Sequence, residues 1–337
     1  MSEAGPGGWL SRLKVDKYLL LILSMVVAAS FLPARGVAAH GFSLATKVAI
    51  GLVFFLHGAR LSREAVIGGV THWRLHLVVM GSTFVLFPLL CLGIAALPAW
   101  ITPSALAGGI VFLGCLPSTI QSSIGFTVIA RGNVAAAVAA ASASNLIGIV
   151  LTPVLVGFLM HAQSAISPSS AWAIVEQLLL PFIAGQVLRR WIGGWVSAHA
   201  KLVQIVDRGS ILLVVYTAFS SAVVEGVWSK IDALDLARLL VICSVLLAVV
   251  LMATFFTARA LGFAKPDEIA IVFCGSKKSL ASGVPMAGVL FPAATAGLAL
   301  LPLMLFHQIQ LMACAVIAQR YANRADTIAA DTEAASG

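Results

Sequence analysis

Lys277 and Lys278 stand side by side near the middle of the stretch from Lys265 to Pro292, KPDEIAIVFCGSKKSLASGVPMAGVLFP, which is otherwise long and apolar enough to cross a bilayer. A lysine at the centre of a membrane helix costs roughly 2.5–3.5 kcal/mol on insertion scales, so it persists only facing the protein interior, a partner or water. Two ammonium groups there can hold a bound anion, be satisfied by serine and carbonyl oxygens, or give up their protons. Asp16, Glu64, Glu176, Asp207, Glu225, Asp232, Asp235, Asp267 and Glu268 all fall at or near the ends of apolar runs, so no carboxylate neutralises them at the same depth. On a regular helix the two lysines would be turned about 100 degrees apart. Lys278 then shares a face with Ser282, which favours Lys278 as the more deeply engaged. Gly275, Ser276, Ser279, Ser282, Gly283 and Pro285 are the residue types found where a membrane helix is interrupted and its freed carbonyls and amides line a cavity.

A second apolar run carries Pro117, Ser118, Thr119, Gln121, Ser122 and Ser123. Pro117 removes a helical hydrogen bond and the small residues admit a neighbouring backbone. Gln121 adds a polar group that the preceding turn cannot satisfy, which points to a lining role. Ser142, Ser144 and Asn145 follow on an alanine-rich helix, where Asn145 either joins helices or lines a site. His57, His307, Gln308 and Gln310 are further polar groups within apolar runs, and Gln308 joins the candidate site.

The elements that must position these residues are membrane spans. Hydrophobic residues make up 60% of the chain and charged ones 10%, with a mean hydropathy of +1.03, far from the roughly one-quarter charged composition of a soluble globule. The apolar runs predict ten transmembrane helices at 18–34, 42–59, 75–97, 104–130, 134–160, 171–188, 210–227, 236–257, 268–290 and 294–318. With the amino terminus in the cytoplasm, only Arg35, Lys47, Lys230 and Arg238 fall on the outer side and the other basic residues of the connections fall inside. The division therefore has a cytoplasmic segment 1–17, a cytoplasmic tail 319–337 and a bacterial inner-membrane location. The run from Tyr18 to Leu32 after Arg12, Lys14 and Lys17 imitates a signal peptide but is read as a retained first span, because cleavage would break the charge pattern.

The longest connection is Trp191 to Arg208, and the ten spans divide into 18–160 and 171–318, five in each. A duplicated unit with an odd number of spans inserts upside down, so the expected architecture is two inverted five-helix repeats, with spans 4 and 9 broken. The net charge of +8 is spread over short connections, without a basic stripe or a nucleic-acid motif, and reads as topology and contact with membrane lipids rather than nucleic acid. Five cysteines lie within apolar runs and form no CxxC, and no acid, base and nucleophile meet at one depth, which excludes a zinc site, a cofactor and an enzyme.

The strings ALAGGIVFLGCLPSTIQSSIGFTVIARGN, NVAAAVAAASASNLIGIVLTPVL and FCGSKKSLASGVPM resemble the bile acid:sodium symporter superfamily, in its bacterial branch related to the sodium-bile acid cotransporter 7 group. The resemblance covers essentially the whole chain. It implies a panel domain from spans 1, 2, 6 and 7, a core domain from spans 3–5 and 8–10, and spans 4 and 9 crossing behind a substrate cavity. It also implies sodium ligands near Ser122 and Ser123, near Ser142, Ser144 and Asn145, and from Ser276 to Leu280. Where sodium-coupled members carry a glutamate and then a glutamine, this chain has Ser276 and Leu280 with the two lysines between them.

The function expected is secondary transport of a small organic anion by alternating access, without sodium, with an ammonium in the space of the missing cation. Its site is Ser118, Thr119, Gln121, Ser122, Ser123, Asn145, Ser276, Lys277, Lys278, Ser279, Ser282 and Gln308. Two alternatives stand beside it: a non-transporting regulatory or structural membrane protein affecting ion or envelope homeostasis, and a sodium-coupled anion symporter using Ser122, Ser123, Ser142, Ser144, Asn145 and Ser276. The coupling ion is sodium or a proton, and the oligomeric state is left open.

Overall fold

The computed structural model describes residues 17–60, 72–160, 175–226 and 231–336. The amino-terminal segment to residue 16, the expected connection at 161–170 and Lys230 lie outside these. All regular structure among the described residues is helical: α1 (Lys17–Phe31), α2 (Gly36–Arg60), α3 (Trp73–Ala95), α4 (Ser104–Cys115), α5 (Gln121–Ile129), α6 (Val134–Met160), α7 (Leu180–Ala198), α8 (Ala200–Val224), α9 (Ala233–Ala260), α10 (Lys265–Gly275), α11 (Leu280–Leu290) and α12 (Ala293–Ser336). Two π-helical turns interrupt the pattern, Ser82–Leu86 within α3 and Val175–Leu179 before α7.

Six of these helices, α2, α3, α6, α8, α9 and α12, are long and apolar enough to cross a membrane, not the ten expected, and the two inverted five-helix repeats fall with that number. The reasons are local. The stretches 104–130 and 268–290 are each split into two half-helices too short to span. The first apolar run forms only the 15-residue α1. The expected span 171–188 is described from Val175, and its helix continues into the polar sequence around Arg189 and Arg190. The expected connection from Trp191 to Arg208 is itself helical, broken only at His199 between α7 and α8.

Helix ends follow from capping chemistry. Asp232 caps α9 and shares a capping box with Asp235. Gly262, at φ +72°, closes α9 in the left-handed conformation that glycine adopts most readily, and Phe263 N–H donates back to Ala258 O at 3.1 Å. Asn133 caps α6 through Ala136 N–H and donates to Asp267 at 2.8 Å, docking the Ala130–Asn133 turn on the start of α10. Glu268, placed by sequence at a span end, is buried there. It accepts from Lys265 at 2.6 Å, Tyr321 at 2.9 Å and Arg259 at 3.2 Å, tying α10 to α9 and α12.

Helices α1, α2, α7 and α8 pack together, with α2 and α7 in backbone contact, and α8 also packs along α11 and α12. An added methyl at Gly185 would sit 2.0 Å from Phe55 O, and one at Gly58 2.1 Å from Phe182 O. Thr46 and Thr217 join α2 to α8 at 3.0 Å, and Tyr18 Oη donates to Arg208 O at 3.1 Å to hold α1. Helices α3 to α6 pack with α9 to α12, where Gly109 lets α4 meet the backbone of α12 and Gly114 lets it meet Cys91 of α3. All five cysteines are buried and free. Gly185→Ala is expected to lower stability by about 1–3 kcal/mol or more through forced separation of α2 and α7. Gly194→Ala on the same helix, with open space around it, should be neutral. Thermal unfolding in detergent compares them, and equal midpoints would refute the contact.

Candidate functional site

The two broken stretches meet back to back. Leu116–Ile120 separates α4 from α5, and Ser276–Ser279 separates α10 from α11. Pro117 cannot continue α4, and Gly148 of α6 leaves room for its ring. Ser279 caps α11 by accepting from Ser282 N–H at 3.1 Å. Ser279 N–H donates across to Pro117 O at 2.9 Å, and Ser118 Oγ donates to Cys274 O at 2.6 Å.

Each break frees carbonyls that have no water to satisfy them, and the side chains there supply the donors. Lys278 is fully buried, and its ammonium donates to Gly114 O and Leu116 O, both at 2.7 Å, and to Thr83 O at 2.8 Å, over the Phe87 ring. All three ammonium hydrogens are thereby used, at the carboxyl-terminal end of α4 where a helix favours a cation. Thr83 O belongs to the π-turn of α3. Lys277 turns the other way, donating to Ser122 O at 3.0 Å with its ammonium 3.9 Å from the centre of the Phe126 ring. Because residues 277–279 are not helical, the hundred-degree argument does not apply to them, yet Lys278 is the more completely enclosed.

Hydroxyl and amide groups complete the crossing. Ser123 donates to Phe273 O at 3.1 Å, Ser276 to Val272 O at 2.6 Å, and Ser82 to Gly275 O at 2.8 Å. Ser144 accepts from Ser118 N–H at 3.0 Å. Asn145 donates to Ser118 O at 2.6 Å and accepts from Ser282 Oγ at 2.6 Å, so one side chain joins the first break to the first turn of α11. Gln310 of α12 clamps Lys278 by its backbone, accepting from its N–H and donating to its C=O, both at 2.9 Å.

In front of the crossing, facing α1, α2, α7 and α8, lies a cavity of about 720 Å³. Thr119, Gln121, Ser122, Ser142, Asn145, Ser279, Ser282 and Gln308 form its polar floor. This floor contains the first residues of α5 and of α11, so two helix amino termini, which favour negative charge, face the space. Its opposite side carries His57, Arg60, Asp207 and Arg208, with His57 Nε2 3.5 Å from Asp207 and Arg208 over the Tyr18 ring. Ile22, Phe54, Ile149 and Met286 give it apolar walls.

The structure thus separates the residues singled out by sequence. Ser118, Ser123, Ser144, Ser276, Lys277 and Lys278 are buried behind the floor and hold the crossing, while the eight floor residues face the cavity. Among the residues named for sodium, Ser123 and Ser276 donate to Phe273 O and Val272 O and Ser144 accepts from Ser118 N–H, while Ser122, Ser142 and Asn145 line the cavity. No group of three or more His, Cys, Asp and Glu occurs among the described residues. Sequence reasoning missed Arg60, Asp207 and Arg208, which it assigned to the membrane surface, and the π-turn of α3. Within that turn the adjacent Ser82 and Thr83 were the available signal.

Several long apolar helices around two interrupted ones, with a polar cavity at the interruption, define a polytopic membrane protein built as a secondary transporter. The chain belongs to the SBF-like CPA transporter family, whose profile matches residues 16–323. It is 56% identical over 322 residues to an uncharacterized protein of Pseudomonas aeruginosa, covering 95% of this chain and 96% of that one. It is 52% identical over 327 residues to YfeH of Escherichia coli, covering 96% and 97%. A more distant likeness, 28% over 323 residues covering 91% and 93%, is to sodium/bile acid cotransporter 7 of Rattus norvegicus. The bacterial branch of the bile acid:sodium symporter superfamily is therefore its place.

Proposed function

We propose that the chain carries a small organic anion with an apolar body across the bacterial inner membrane by alternating access, without sodium. The observation that carries this reading is the polarity of the cavity: two helix amino termini and two arginines face the space, while both ammonium groups are turned away into carbonyls. The moving parts are the α1, α2, α7 and α8 group and the remainder, with the crossing travelling as part of the latter. With both termini in the cytoplasm, Arg60 and Arg208 stand at the inner mouth and the cavity opens inward.

The two lysines act as built-in cations. They hold the broken helices together as a bound ion would, and they do not dissociate, so a sodium gradient has nothing to drive. In proteoliposomes, uptake of an amphipathic monocarboxylate should proceed equally in sodium and choline buffers. Arg208→Gln should raise its KM about 10- to 100-fold, the effect of losing a charge-assisted hydrogen bond. Uptake that scales with sodium, or no uptake across a panel of organic anions, would overturn the reading.

A further inference from the structure

We propose that His307 is a proton-binding site of this protein and that Gln310 transmits its charge state to the helix break at Lys278. The geometry fixes the chemistry of this trio. Gln310 Oε1 accepts from Lys278 N–H and Gln310 Nε2 donates to Lys278 O, so the amide has only one workable orientation. The opposite orientation would set oxygen against oxygen and N–H against N–H. The second hydrogen of Nε2 then points to His307 Nδ1, 2.9 Å away, which must be an acceptor. His307 is therefore the neutral imidazole with its proton on Nε2.

His307 also lines the cavity, so protons reach it by the route an anion would use. A proton taken up at Nδ1 from cavity water makes both ring nitrogens donors, and Nδ1–H then faces the Gln310 N–H. Turning the amide to meet it satisfies the imidazolium but removes both bonds to Lys278. Protonation and the backbone clamp are thus mutually exclusive. The clamp releases the residue on which the two breaks are joined.

The charged surroundings suit a site that cycles. From α1, α2 and α8 the same cavity receives Tyr18, His57, Arg60, Asp207 and Arg208. Of the elements packed on α12, α4 and α5 bring no charged side chain, and Cys115 at the end of α4 is buried. Helix α9 carries Asp235, Arg238 and Arg259 towards its ends, with Cys243 donating to Pro302 O. Helix α11 is preceded by Lys277, whose ammonium is held at Ser122 O, and by Lys278, whose ammonium is held on the far side by its three carbonyls. Helix α10 sets Glu268 and Lys265 against Tyr321, fourteen residues along α12 from His307. An anion in the cavity would favour the imidazolium, and the imidazolium the anion, by linkage. Proton and anion then bind together, which deepens the transport reading by naming its coupling ion.

The test uses the full-length protein in detergent and needs no substrate. Nitrogen-15 NMR of histidine-labelled protein, with His307 assigned by its absence in His307→Gln, should show at alkaline pH an unprotonated Nδ1 and a protonated Nε2. On acidification through the imidazole range, amide hydrogen exchange at Lys278 should rise about 5- to 10-fold beyond its intrinsic pH dependence, as expected for losing about one net hydrogen bond. In His307→Gln that excess should vanish. A proton on Nδ1 of neutral His307 in the unaltered protein would overturn the proposal, whether or not the variant folds. An equal excess in variant and wild type would do the same. Failure to move any anion would sink the transport reading and leave this one standing.

Discussion

Lys278→Ala should unfold at a markedly lower temperature than the wild type, by about 3 kcal/mol. The truncation leaves Thr83 O, Gly114 O and Leu116 O buried without a donor, at about 1 kcal/mol or more each. The emptied volume adds a cavity cost, and freedom from burying an ammonium offsets part of the sum. Lys278→Met, which fills the space but cannot donate, should remain destabilised. The diagnostic observation is chemical rescue: n-propylammonium has the heavy atoms that the alanine variant lacks, and it should raise the midpoint of that variant alone. Tetramethylammonium, with no N–H, and sodium at equal ionic strength should not. A variant as stable as wild type, or one that responds equally to all three cations, would contradict the carbonyl cage.

Asn145→Asp should lose transport more severely than its change in shape suggests. Asn145 joins the first break to the start of α11, giving a hydrogen to Ser118 O and taking one from Ser282. Aspartate keeps the acceptor but sets a carboxylate against a carbonyl at 2.6 Å, whereas alanine loses both bonds and leaves Ser118 O without its donor. Stability should fall by roughly 1–3 kcal/mol in the alanine variant, the cost of an unpaired buried group. Uptake should fall at least tenfold in both variants, since a loosened crossing no longer moves as one piece. Equal transport by wild type and Asn145→Asp would show that the two breaks need no joint.

Much of this site was legible because lipid punishes polar groups so heavily. Two lysines, a serine-rich proline stretch and a lone asparagine inside apolar runs had to be near one another, and they are. What the sequence did not give was direction. In a helix, position around the axis follows from spacing, but Leu116–Ile120 and Ser276–Ser279 are not helices, and their side chains point where the opposing break allows. Hence Lys277 and Lys278 could not be assigned to the cavity or to the space behind it. The span count failed for a related reason: apolar length was read as helix length, although two such stretches are interrupted and the first is short. Charge near a span end signals topology, which puts Arg60 and Arg208 on the inner side, and nothing in the sequence says that α2 and α8 bring them to one cavity.

The glycine contacts between α2 and α7 have a consequence for selectivity. Backbones that touch at Gly58 and Gly185 cannot slide past one another, and α8 is tied to α2 at Thr46 and Thr217. Arg60, two residues beyond Gly58, therefore keeps its spacing from Arg208 however the other helices travel. In the transport cycle we propose, the pair is a ruler fixed to one wall of the cavity, reading the length of an anion, while the opposite floor measures only its charge.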